Sequence, residues 1–306
     1  MKVLVIVNAR SGGGDAGLYD FIRELGDDGT EIVMRFAGAA TRLEDLVADA
    51  SRFDRVVAAG GDGTASAIAY ALRGSDVPLL VYPAGTANLL ALNLGLPHDA
   101  PALAEVARHG VPVAFDLGEI TLTGDEPTTS GFAIVAGAGY DASIIEGAQP
   151  LKTTLGAGAY LAAAVTNLTP TAAQFELVLD GERVTTDGIA VLLVNFGRIQ
   201  FDLPLAKGFS PCDGKLEVAV VRTKHVAGLI PAVLTAIGDL FGGQATSTPG
   251  IDVYSAAEIE VRATPALRMQ YDGEALDAYT PFTARCLPGA ITMIVPPGSA
   301  YDVDAC

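Results

Sequence analysis

Short apolar runs alternate with helical patterns over about the first 115 residues of the chain. The predicted strands are Val3–Val7, Glu31–Phe36, Val56–Ala59 and Leu79–Tyr82, and the predicted helices are Leu18–Leu25, Leu43–Ala50, Ala65–Leu72, Leu89–Leu94 and Ala102–Arg108. Strands that alternate with helices are typical of a parallel sheet with helices on both faces. The pattern therefore predicts an α/β domain with a parallel sheet over residues 1–115.

The pattern changes near Val113, where short apolar runs follow one another between Gly, Asp and Pro turns. The predicted strands are Val113–Leu117, Glu119–Thr123, Gly131–Ala136, Gln174–Leu179, Arg183–Thr186, Ile189–Asn195, Leu216–Val221, Glu258–Ala263 and Leu267–Tyr271. Two helices are predicted among them, Tyr160–Asn167 and Val226–Phe241. Residues 116–289 are therefore predicted to form an antiparallel β-rich C-terminal domain. A last strand, Ala290–Val295, leaves open whether residues 290–306 complete the first domain.

Composition and charge limit the classes of partner. The chain has 306 residues, half of them apolar and 18% charged, which suits two domains with buried cores. Its net charge is −17 at pH 7. Nucleic-acid-binding surfaces are basic, so no nucleic-acid partner is predicted. The same charge opposes tight adsorption to anionic lipid headgroups. A salt-adapted source would also explain an acidic chain.

The cysteines and the longest apolar segment bear on location. Cys212, Cys286 and Cys306 are few and widely spaced in a chain large enough to fold without disulfides, which favours a reducing compartment. The longest apolar helical candidate, Val226–Phe241, is shorter than the ~20 residues that a membrane crossing needs. A cytoplasmic protein, with at most peripheral contact with a membrane, is expected.

Three glycine-bearing turns follow predicted strands of the first domain. They are Asn8-Ala9-Arg10-Ser11-Gly12, Gly60-Gly61-Asp62-Gly63-Thr64 and Pro83-Ala84-Gly85-Thr86-Ala87-Asn88. In open α/β sheets, ligands bind at the carboxyl ends of the strands, and N–H groups at a helix start favour phosphate. One such turn often serves chain reversal alone, but three together favour a nucleotide. The candidate nucleotide-binding residues are Asn8, Arg10, Ser11, Gly60, Gly61, Gly63, Thr64, Gly85, Thr86 and Asn88.

Two residues of the second turn carry specific expectations. The hydroxyl of Thr64 can cap the following helix or bind a phosphate oxygen, and these roles compete. Asp62 places a carboxylate where an anion would bind, which is unfavourable unless a cation or a sugar hydroxyl lies between them. The turn therefore suggests a nucleotide with Mg²⁺. The chain has no GxxxxGK[ST] loop, and Gly12–Gly17 and Gly137–Ala142 match dinucleotide-type glycine patterns without the expected context.

Together, these motifs resemble the diacylglycerol kinase catalytic-domain family, which includes bacterial soluble lipid kinases and, more distantly, sphingosine kinases. The resemblance continues through Gly137–Ala142, Lys152 with Gly156–Tyr160, Asp213-Gly214-Lys215-Leu216 and Asp272-Gly273-Glu274, so it covers nearly the whole chain in order. The GGDGT sequence alone is shared with NAD kinases and phosphofructokinases. In combination with a late Asp-Gly-Glu, it is much more specific.

The resemblance implies an NAD-kinase-like α/β domain, a β-rich second domain, and ATP meeting its acceptor in the cleft. Asp272 would be the catalytic base, with Glu274 near the metal or ATP and Asp62 acting through Mg²⁺ or the nucleotide. Asp213 would bind a structural Mg²⁺ with the carbonyls of Ser210 and Lys215. The implied activity is transfer of the γ-phosphate of ATP to diacylglycerol or a similar lipid alcohol. Transient membrane contact and a homodimer, which is common in the family, are further expectations.

The sequence allows other interpretations of these motifs and of the function. Asp-Gly is a strong hairpin signal, and Asp180-Gly181 is predicted to be only that. Asp213-Gly214 and Asp272-Gly273 would be plain turns on pattern alone. A kinase of a soluble substrate such as NAD, or a nucleotide sensor without turnover, are rival functions. The chain departs from the family pattern at Ala9, at Leu89-Leu90 after Asn88, and at Ile199–Asp202, which replaces a triple glycine. Phosphate-neutralising charge would come from Arg10, Lys152, Arg198 or Mg²⁺.

Overall fold

The structure is a computed structural model that describes residues 1–8, 16–38, 41–123, 127–139, 171–199, 203–204, 210–222, 250–272 and 274–301. The side chains of residues 198, 199, 203, 204, 274 and 275 are not part of that description. Several predictions lie outside the described residues: the helices Tyr160–Asn167 and Val226–Phe241, the phosphate contacts of Arg10 and Ser11, and the segment with Lys152 and Gly156–Tyr160. The predicted roles of the Arg198 and Glu274 side chains lie outside them as well.

The chain forms two compact units. The first comprises Met1–Leu117, Ser210–Gly214 and Leu287–Cys306, and the second comprises Gly118–Phe209 and Lys215–Cys286.

The first unit is a parallel sheet with helices. Its strands are β1 (Lys2–Asn8), β2 (Glu31–Ala37), β3 (Arg55–Gly60) and β4 (Leu79–Pro83), and its helices are α1 (Ala16–Gly26), α2 (Leu43–Val47), α3 (Asp62–Ala71), α4 (Leu89–Asn93) and α5 (Ala100–His109), with a 3-10 turn at Ala50–Arg52. The strands lie in the order β2-β1-β3-β4, all parallel. The last strand of the chain, β18 (Phe282–Val295), adds its end to β4 in the same direction.

The sequence explains why these segments form these elements. In α1, Leu18, Phe21 and Leu25 are all buried, and their spacing places them on one helical face. In β1 the five central residues are all buried, as expected for a parallel strand covered on both faces. The α/β arrangement predicted for this part of the chain is confirmed.

The second unit is antiparallel and rich in strands. The remaining strands are β5 (Val111–Leu122, which begins in the first unit), β6 (Thr128–Phe132), β7 (Val135–Gly139), β8 (Ala173–Leu179), β9 (Glu182–Gly188), β10 (Ala190–Val194), β11 (Arg198–Ile199), β12 (Leu203–Pro204), β13 (Leu216–Val221), β14 (Ile251–Ala256), β15 (Glu258–Thr264), β16 (Arg268–Tyr271) and β17 (Glu274–Tyr279). One sheet has the order β14-β13-β10-β7-β16-β17. In the other, β15 pairs with β18 and β8, and β8 pairs with β9.

A hydrophobic core cluster lies in this unit, with Phe132, Phe175, Val191, Val218 and Phe282 among its buried members. Side chains alternate between buried and exposed along β8, which is typical of a strand with one face on a core. The predicted antiparallel β-rich half is thus confirmed.

Three details differ from the predictions. The two predicted strands Val113–Leu117 and Glu119–Thr123 form one strand, β5. The predicted strand Gly131–Ala136 is broken at residues 133–134, between β6 and β7. Helix α3 begins at Asp62, three residues before the predicted start at Ala65. The last two differences both involve residues of the candidate site.

Among the cysteines, Cys286 is a free cysteine, buried in the core of the second unit. The expectation of a reducing compartment stays a prediction.

Candidate active site

The carboxyl ends of β1, β3 and β4 bring the first group of candidate residues together. The parallel register pairs Val7 with Ala59 and Gly60 with Pro83, so the turns that follow these strands lie at one edge of the sheet. The amide of Asn8 donates to the Thr64 hydroxyl oxygen across 2.8 Å. The first and second glycine-bearing turns therefore meet through side chains 56 positions apart.

Helix α3 includes most of the GGDGT sequence in its first turn. Gly61 is the N-cap, with extended backbone at φ −81° and ψ 179°, and no side chain caps the helix. Thr64 is buried in the first turn. Its hydroxyl therefore does not act as the cap that was one of its two predicted roles. Asp62 occupies the first helical position, where a carboxylate interacts favourably with the helix dipole, and this favours the earlier start of the helix.

Two of the glycines are required by the packing of the turns. A Cβ atom on Gly60 would lie 2.6 Å from the Cβ of Thr64. A Cβ atom on Gly85 would lie 2.6 Å from the backbone Cα of Gly61 and 2.9 Å from the Asn88 side-chain oxygen. Neither distance is compatible with an alanine unless the neighbouring atoms move. Gly60 thus leaves room for Thr64 within the second turn, and Gly85 allows the turns after β3 and β4 to touch.

The carboxylate of Asp62 binds the start of α4. Its Oδ1 accepts the Leu90 N–H at 2.9 Å, and the N–H groups of residues 88 and 89 also hydrogen-bond to it. Burial raises the pKa of Asp62, and the backbone N–H bonds oppose that rise. The N–H donors provide the positive partner that a carboxylate needs at this place. The carboxylate thus has backbone donors of its own, and a cation or a sugar hydroxyl beside Asp62 stays a prediction.

The side chain of Asn88 stabilises the third turn through hydrogen bonds to the backbone of Gly85. The backbone of Asn88 is left-handed, with φ 51° and ψ 41°, a conformation that asparagine tolerates better than most residues. Its side-chain oxygen accepts the Gly85 N–H at 2.7 Å, and its amide donates to the Gly85 carbonyl at 3.0 Å. Thr86, at the tip of the same turn, is exposed. Asn88 thus shapes the turn, and Thr86 is an exposed polar side chain of it.

Asp62 provides a stability test that separates its N–H contacts from any contact with a ligand. In Asp62→Ala the N–H groups at the start of α4 lose their acceptor, which we expect to lower the free energy of unfolding by about 1–3 kcal/mol. In Asp62→Asn the side-chain oxygen can still accept, and no charge is buried, so stability at pH 7 should equal or exceed that of the wild type. Thermal melts of the three proteins measure this difference. Equal losses in both variants would show that Asp62 is not an acceptor for α4.

The pH dependence of the same melts has a defined sign. Because burial raises the folded pKa of Asp62 above its ordinary value, its contribution to stability is fully present below the unfolded pKa and is lost as the pH rises through the folded pKa. The wild type should therefore gain stability relative to Asp62→Asn as the pH falls from 7 towards 4. A constant difference across that range would contradict the raised pKa.

The second group of candidate residues surrounds Asp272, in the turn between β16 and β17. Asp272 is buried, and its backbone is left-handed with φ 44°. Its Oδ1 accepts the N–H groups of Ile134 and Val135, and its Oδ2 accepts the N–H of Ala133, each at 3.0 Å. The Asp272 N–H donates to the Val135 carbonyl at 2.8 Å. The carboxylate is therefore held in one orientation by three backbone donors.

These bonds explain why the predicted strand Gly131–Ala136 is broken. The N–H groups at residues 133 and 134 point to the Asp272 carboxylate, so they do not join a strand ladder. Glu274 begins β17, two residues after Asp272. The hairpin prediction for Asp272-Gly273 is confirmed by the antiparallel pairing of β16 with β17.

The third group is the turn that contains Asp213. Asp213 is exposed. Beneath it lies Asp116, a carboxylate that is 1% exposed. The two Asp116 oxygens accept the N–H groups of Gly214 and Gly289, each at 2.7 Å, and its own N–H donates to the Pro211 carbonyl at 2.7 Å. Among the described residues, no group of three or more His, Cys, Asp or Glu side chains is arranged to hold a metal.

The sequence analysis assigned no role to two buried polar residues, Asp116 and Asn195. Asp116 is a lone carboxylate in the apolar run Val113–Leu117, a place where an acidic residue needs a buried partner. Asn195 follows the buried strand β10 and is itself 2% exposed. In both cases the signal was a polar residue at a buried strand position.

Two family models match the chain. The model of the diacylglycerol kinase catalytic domain matches residues 2–120. The model of the YegS C-terminal NAD kinase beta sandwich-like domain matches residues 134–295, which is more than half of the chain. Among the helices that the structure describes, none has the length and apolar character that a membrane crossing requires.

Relatives agree with these matches. A diacylglycerol kinase of Mycobacterium tuberculosis is 28% identical over 96% of this chain and 95% of its own length. A probable YegS-like lipid kinase of Pseudomonas putida is 30% identical over 91% of this chain and 90% of its own length. An uncharacterised Synechocystis protein is 26% identical over 88% of this chain, which spans 60% of that longer protein.

The fold has a counterpart among solved structures. A crystal structure of a diacylglycerol kinase from Bacillus anthracis superimposes with a TM-score of 0.71 over 97% of both chains, at 23% identity, a likeness that concerns the fold alone. The two matching family models and the relatives along nearly the full chain lead to one conclusion. The chain belongs to the diacylglycerol kinase catalytic-domain family and is an ATP-dependent lipid kinase of that family, with a YegS-type β domain in its second half.

Proposed function

We propose that this protein transfers the γ-phosphate of ATP to a hydroxyl group of diacylglycerol or a similar lipid alcohol, with Asp272 as the general base. The observation that carries the proposal is the Asp272 carboxylate, which three backbone N–H groups hold in one orientation. A general base is more effective when its geometry is already preorganised for the substrate. The named kinases among the relatives make a lipid alcohol the first acceptor to test.

ATP is proposed to bind at the edge where β1, β3 and β4 end. The residues proposed to hold it are Asn8, Arg10, Ser11, Gly60, Gly61, Gly63, Thr64, Gly85, Thr86 and Asn88. Helix α3 has ten residues and begins at this edge, so its first N–H groups suit a phosphate. The contact between the second and third turns, through Gly61 and Gly85, would keep both at a constant spacing around the nucleotide.

The chemical step follows from these roles. The alcohol oxygen attacks the γ-phosphorus and forms the new P–O bond, while the bond from that phosphorus to the β–γ bridging oxygen breaks and ADP leaves with the electron pair. The alcohol proton passes to the Asp272 carboxylate. Three N–H donors stabilise the carboxylate as an anion, so it is a weak base. Such a base suits a proton that leaves late, when the new P–O bond is already forming.

Mg²⁺ is the proposed metal. It would supply neutralisation of phosphate charge. The proposed structural site consists of the Asp213 carboxylate and the carbonyl oxygens of Ser210 and Lys215, and oxygen donors of this kind fit Mg²⁺. Asp116 would hold the turn from below through the Gly214 N–H. Glu274 and Asp62 are proposed to act near the nucleotide and its metal, Asp62 through the turn that it holds.

Removal of the Asp213 carboxylate tests the metal proposal. In Asp213→Ala, we expect the Mg²⁺ concentration for half-maximal activity to rise on the order of tenfold or more. Activity measured against added MgCl₂ after chelation gives this value. Asp187→Ala is the matched control, because Asp187, in β9, is also an exposed carboxylate. If both variants need the same Mg²⁺ concentration for half-maximal activity, Asp213 is not a ligand of the metal.

The acceptor is tested by product analysis. The protein is incubated with ATP, Mg²⁺ and either a bacterial lipid extract, purified diacylglycerol or NAD, and the products are identified by mass spectrometry. A phosphorylated lipid in the organic phase is the expected result. Formation of NADP without a lipid product would favour the soluble-substrate rival. ATP binding without any product would favour a sensor. Transient membrane contact and a homodimer stay predictions.

A further inference from the structure

The connection between β6 and β7, residues 133–135, has an unusual set of partners. Each of its three residues has one backbone N–H and one C=O, six groups in all. The three N–H groups donate to the Asp272 carboxylate. The Ala133 carbonyl accepts the Asn195 side-chain amide at 2.9 Å, the Ile134 carbonyl accepts the Asn195 N–H at 2.9 Å, and the Val135 carbonyl accepts the Asp272 N–H at 2.8 Å. Asp272 and Asn195 thus provide a partner for every one of these groups.

The order of these bonds along the peptide groups is what matters. The Ala133 carbonyl and the Ile134 N–H belong to one peptide group, and the Ile134 carbonyl and the Val135 N–H belong to the next. In each group Asn195 donates to the oxygen, and the N–H donates to Oδ1 of Asp272. Two hydrogen-bonded relays therefore begin at Asn195 and end on one carboxylate oxygen.

Consecutive hydrogen bonds of this kind strengthen one another. A donor at a peptide oxygen polarises that peptide group and makes its N–H a better donor, by about 10–30% per bond. The low exposure of the participants keeps water out of both relays: Ala133 is 0%, Ile134 1% and Asn195 2% exposed. Asn195 should therefore both hold Oδ1 in place and stabilise the negative charge on it.

We propose that Asn195 is a positioning residue for phosphoryl transfer, which acts on Asp272 through the two peptide groups of residues 133–135. This inference rests on the proposed role of Asp272 as the base. Asn195 itself is not proposed to touch ATP or the acceptor. Loss of its side-chain donor would remove the relay through the Ala133 carbonyl, loosen Oδ1 and leave the Asp272 carboxylate a stronger proton acceptor, while the backbone N–H of residue 195 keeps the second relay.

The surroundings of Asp272 allow a clear reading of pH effects. Strands β6, β7 and β10 carry no ionisable side chains. Strand β16 carries Arg268 and Tyr271, and β17 carries Glu274, Asp277 and Tyr279. These groups are present in every variant below, and only Asn195→Asp adds an ionisable group. A change in the pH profile between variants therefore reports on position 195 and its relays.

Two variants of different severity test the proposal. Asn195→Asp is isosteric, cannot donate to the Ala133 carbonyl and adds a second carboxylate. Asn195→Ser keeps a short donor and carries no charge. We expect kcat to fall about 10–100-fold in Asn195→Asp and less in Asn195→Ser, with KM for ATP changed by less than about threefold. We expect the acid limb of the kcat–pH profile to move to higher pH, by about one unit in Asn195→Asp.

Hydrogen exchange gives a readout that does not depend on activity. In both variants the amides of residues 133–135 should exchange faster than in the wild type, because their acceptor is held less firmly. The matched control is Thr280→Val. Thr280 is buried in the same unit, and its hydroxyl oxygen accepts the Leu267 N–H at 3.1 Å. This control should lose stability without a shift of the acid limb and without faster exchange at residues 133–135.

Each failure has a distinct signature. If Asn195→Ser and Asn195→Asp keep the wild-type pH profile, or lose no more kcat than Thr280→Val at the same loss of stability, Asn195 has only a structural role. If Asn195→Asp does not fold, Asn195→Ser decides the matter alone. If Asp272→Asn retains full activity on the lipid, the proposed base is wrong and the inference falls with it. Loss of activity in Asp272→Asn, with unchanged Asn195 variants, overturns the inference alone.

Discussion

Replacement of Asp272 by Asn is expected to reduce kcat by about 10²–10⁴-fold, the range typical of a lost general base. The amide of Asn cannot take the alcohol proton, whereas its size and its tolerance of left-handed backbone are those of Asp. KM for ATP should change little, because Asp272 lies outside the three turns proposed to bind the nucleotide. Initial rates with diacylglycerol at saturating ATP measure the effect.

The chain supplies a closely matched control in Asp180. This residue also begins an Asp-Gly hairpin turn, has φ 48°, and accepts backbone N–H groups, from Ala257 at 3.0 Å and Glu258 at 2.8 Å. Asp180→Asn should lose a similar amount of stability, about 1–3 kcal/mol at most, while it keeps its kcat. If the two variants lose activity to the same extent, the loss reflects the fold of the hairpin. Wild-type activity in Asp272→Asn would remove Asp272 from the chemistry.

Gly85→Ala is expected to have the second largest effect. The new methyl group would lie 2.6 Å from the backbone Cα of Gly61 and 2.9 Å from the Asn88 side-chain oxygen. Backbone cannot move aside as a flexible side chain can, so the turns after β3 and β4 must separate. Overpacking of this kind lowers the free energy of unfolding by about 1–3 kcal/mol. Since both turns are proposed to hold ATP, its affinity should fall about tenfold or more.

Calorimetric titration with an ATP analogue and a thermal melt measure the two effects. Gly26→Ala is the control, because its added Cβ would meet only the Ile32 Cδ1 at 3.8 Å, an ordinary contact. This variant should stay within about 0.5 kcal/mol of the wild type and bind the analogue normally. A Gly85→Ala protein that melts lower but binds with wild-type affinity would show that the third turn does not contact the nucleotide. Unchanged stability would contradict the clash itself.

Local patterns were sufficient for the architecture of both halves. Alternating strands and helices identified the parallel sheet, and short strands between turn residues identified the antiparallel half. Both were predictable because the burial of one or both faces of an element determines the spacing of its apolar residues. Element boundaries were less certain. The start of α3 was placed three residues late, because the glycines of GGDGT were assigned to a turn and Gly63 is in fact helical.

Local sequence patterns could not predict which residues form hydrogen bonds with one another in the candidate site. Asp62 contacts Leu90, 28 positions away, and Asp272 contacts Ala133, 139 positions away. In the sequence, residues 131–136 have the pattern of one apolar strand. In the fold, the hydrogen bonds of residues 133 and 134 with Asp272 and Asn195 interrupt that strand. A carboxylate in a sequence also carries no sign of whether its partner will be a metal or a backbone N–H group.

The sequence by itself determined the family, the order of the elements and the residue types from which a phosphate site and a base can be built, since motifs and hydrophobic periods are local properties. The tertiary structure alone decided which of these residues touch. The order of the strands brings Gly61 against Gly85 and Asn195 and Asp272 to the same peptide groups, and strand order is set by the burial of the whole sheet. The roles of Asp62 and Asp272 therefore depend on neighbours that are distant in the chain.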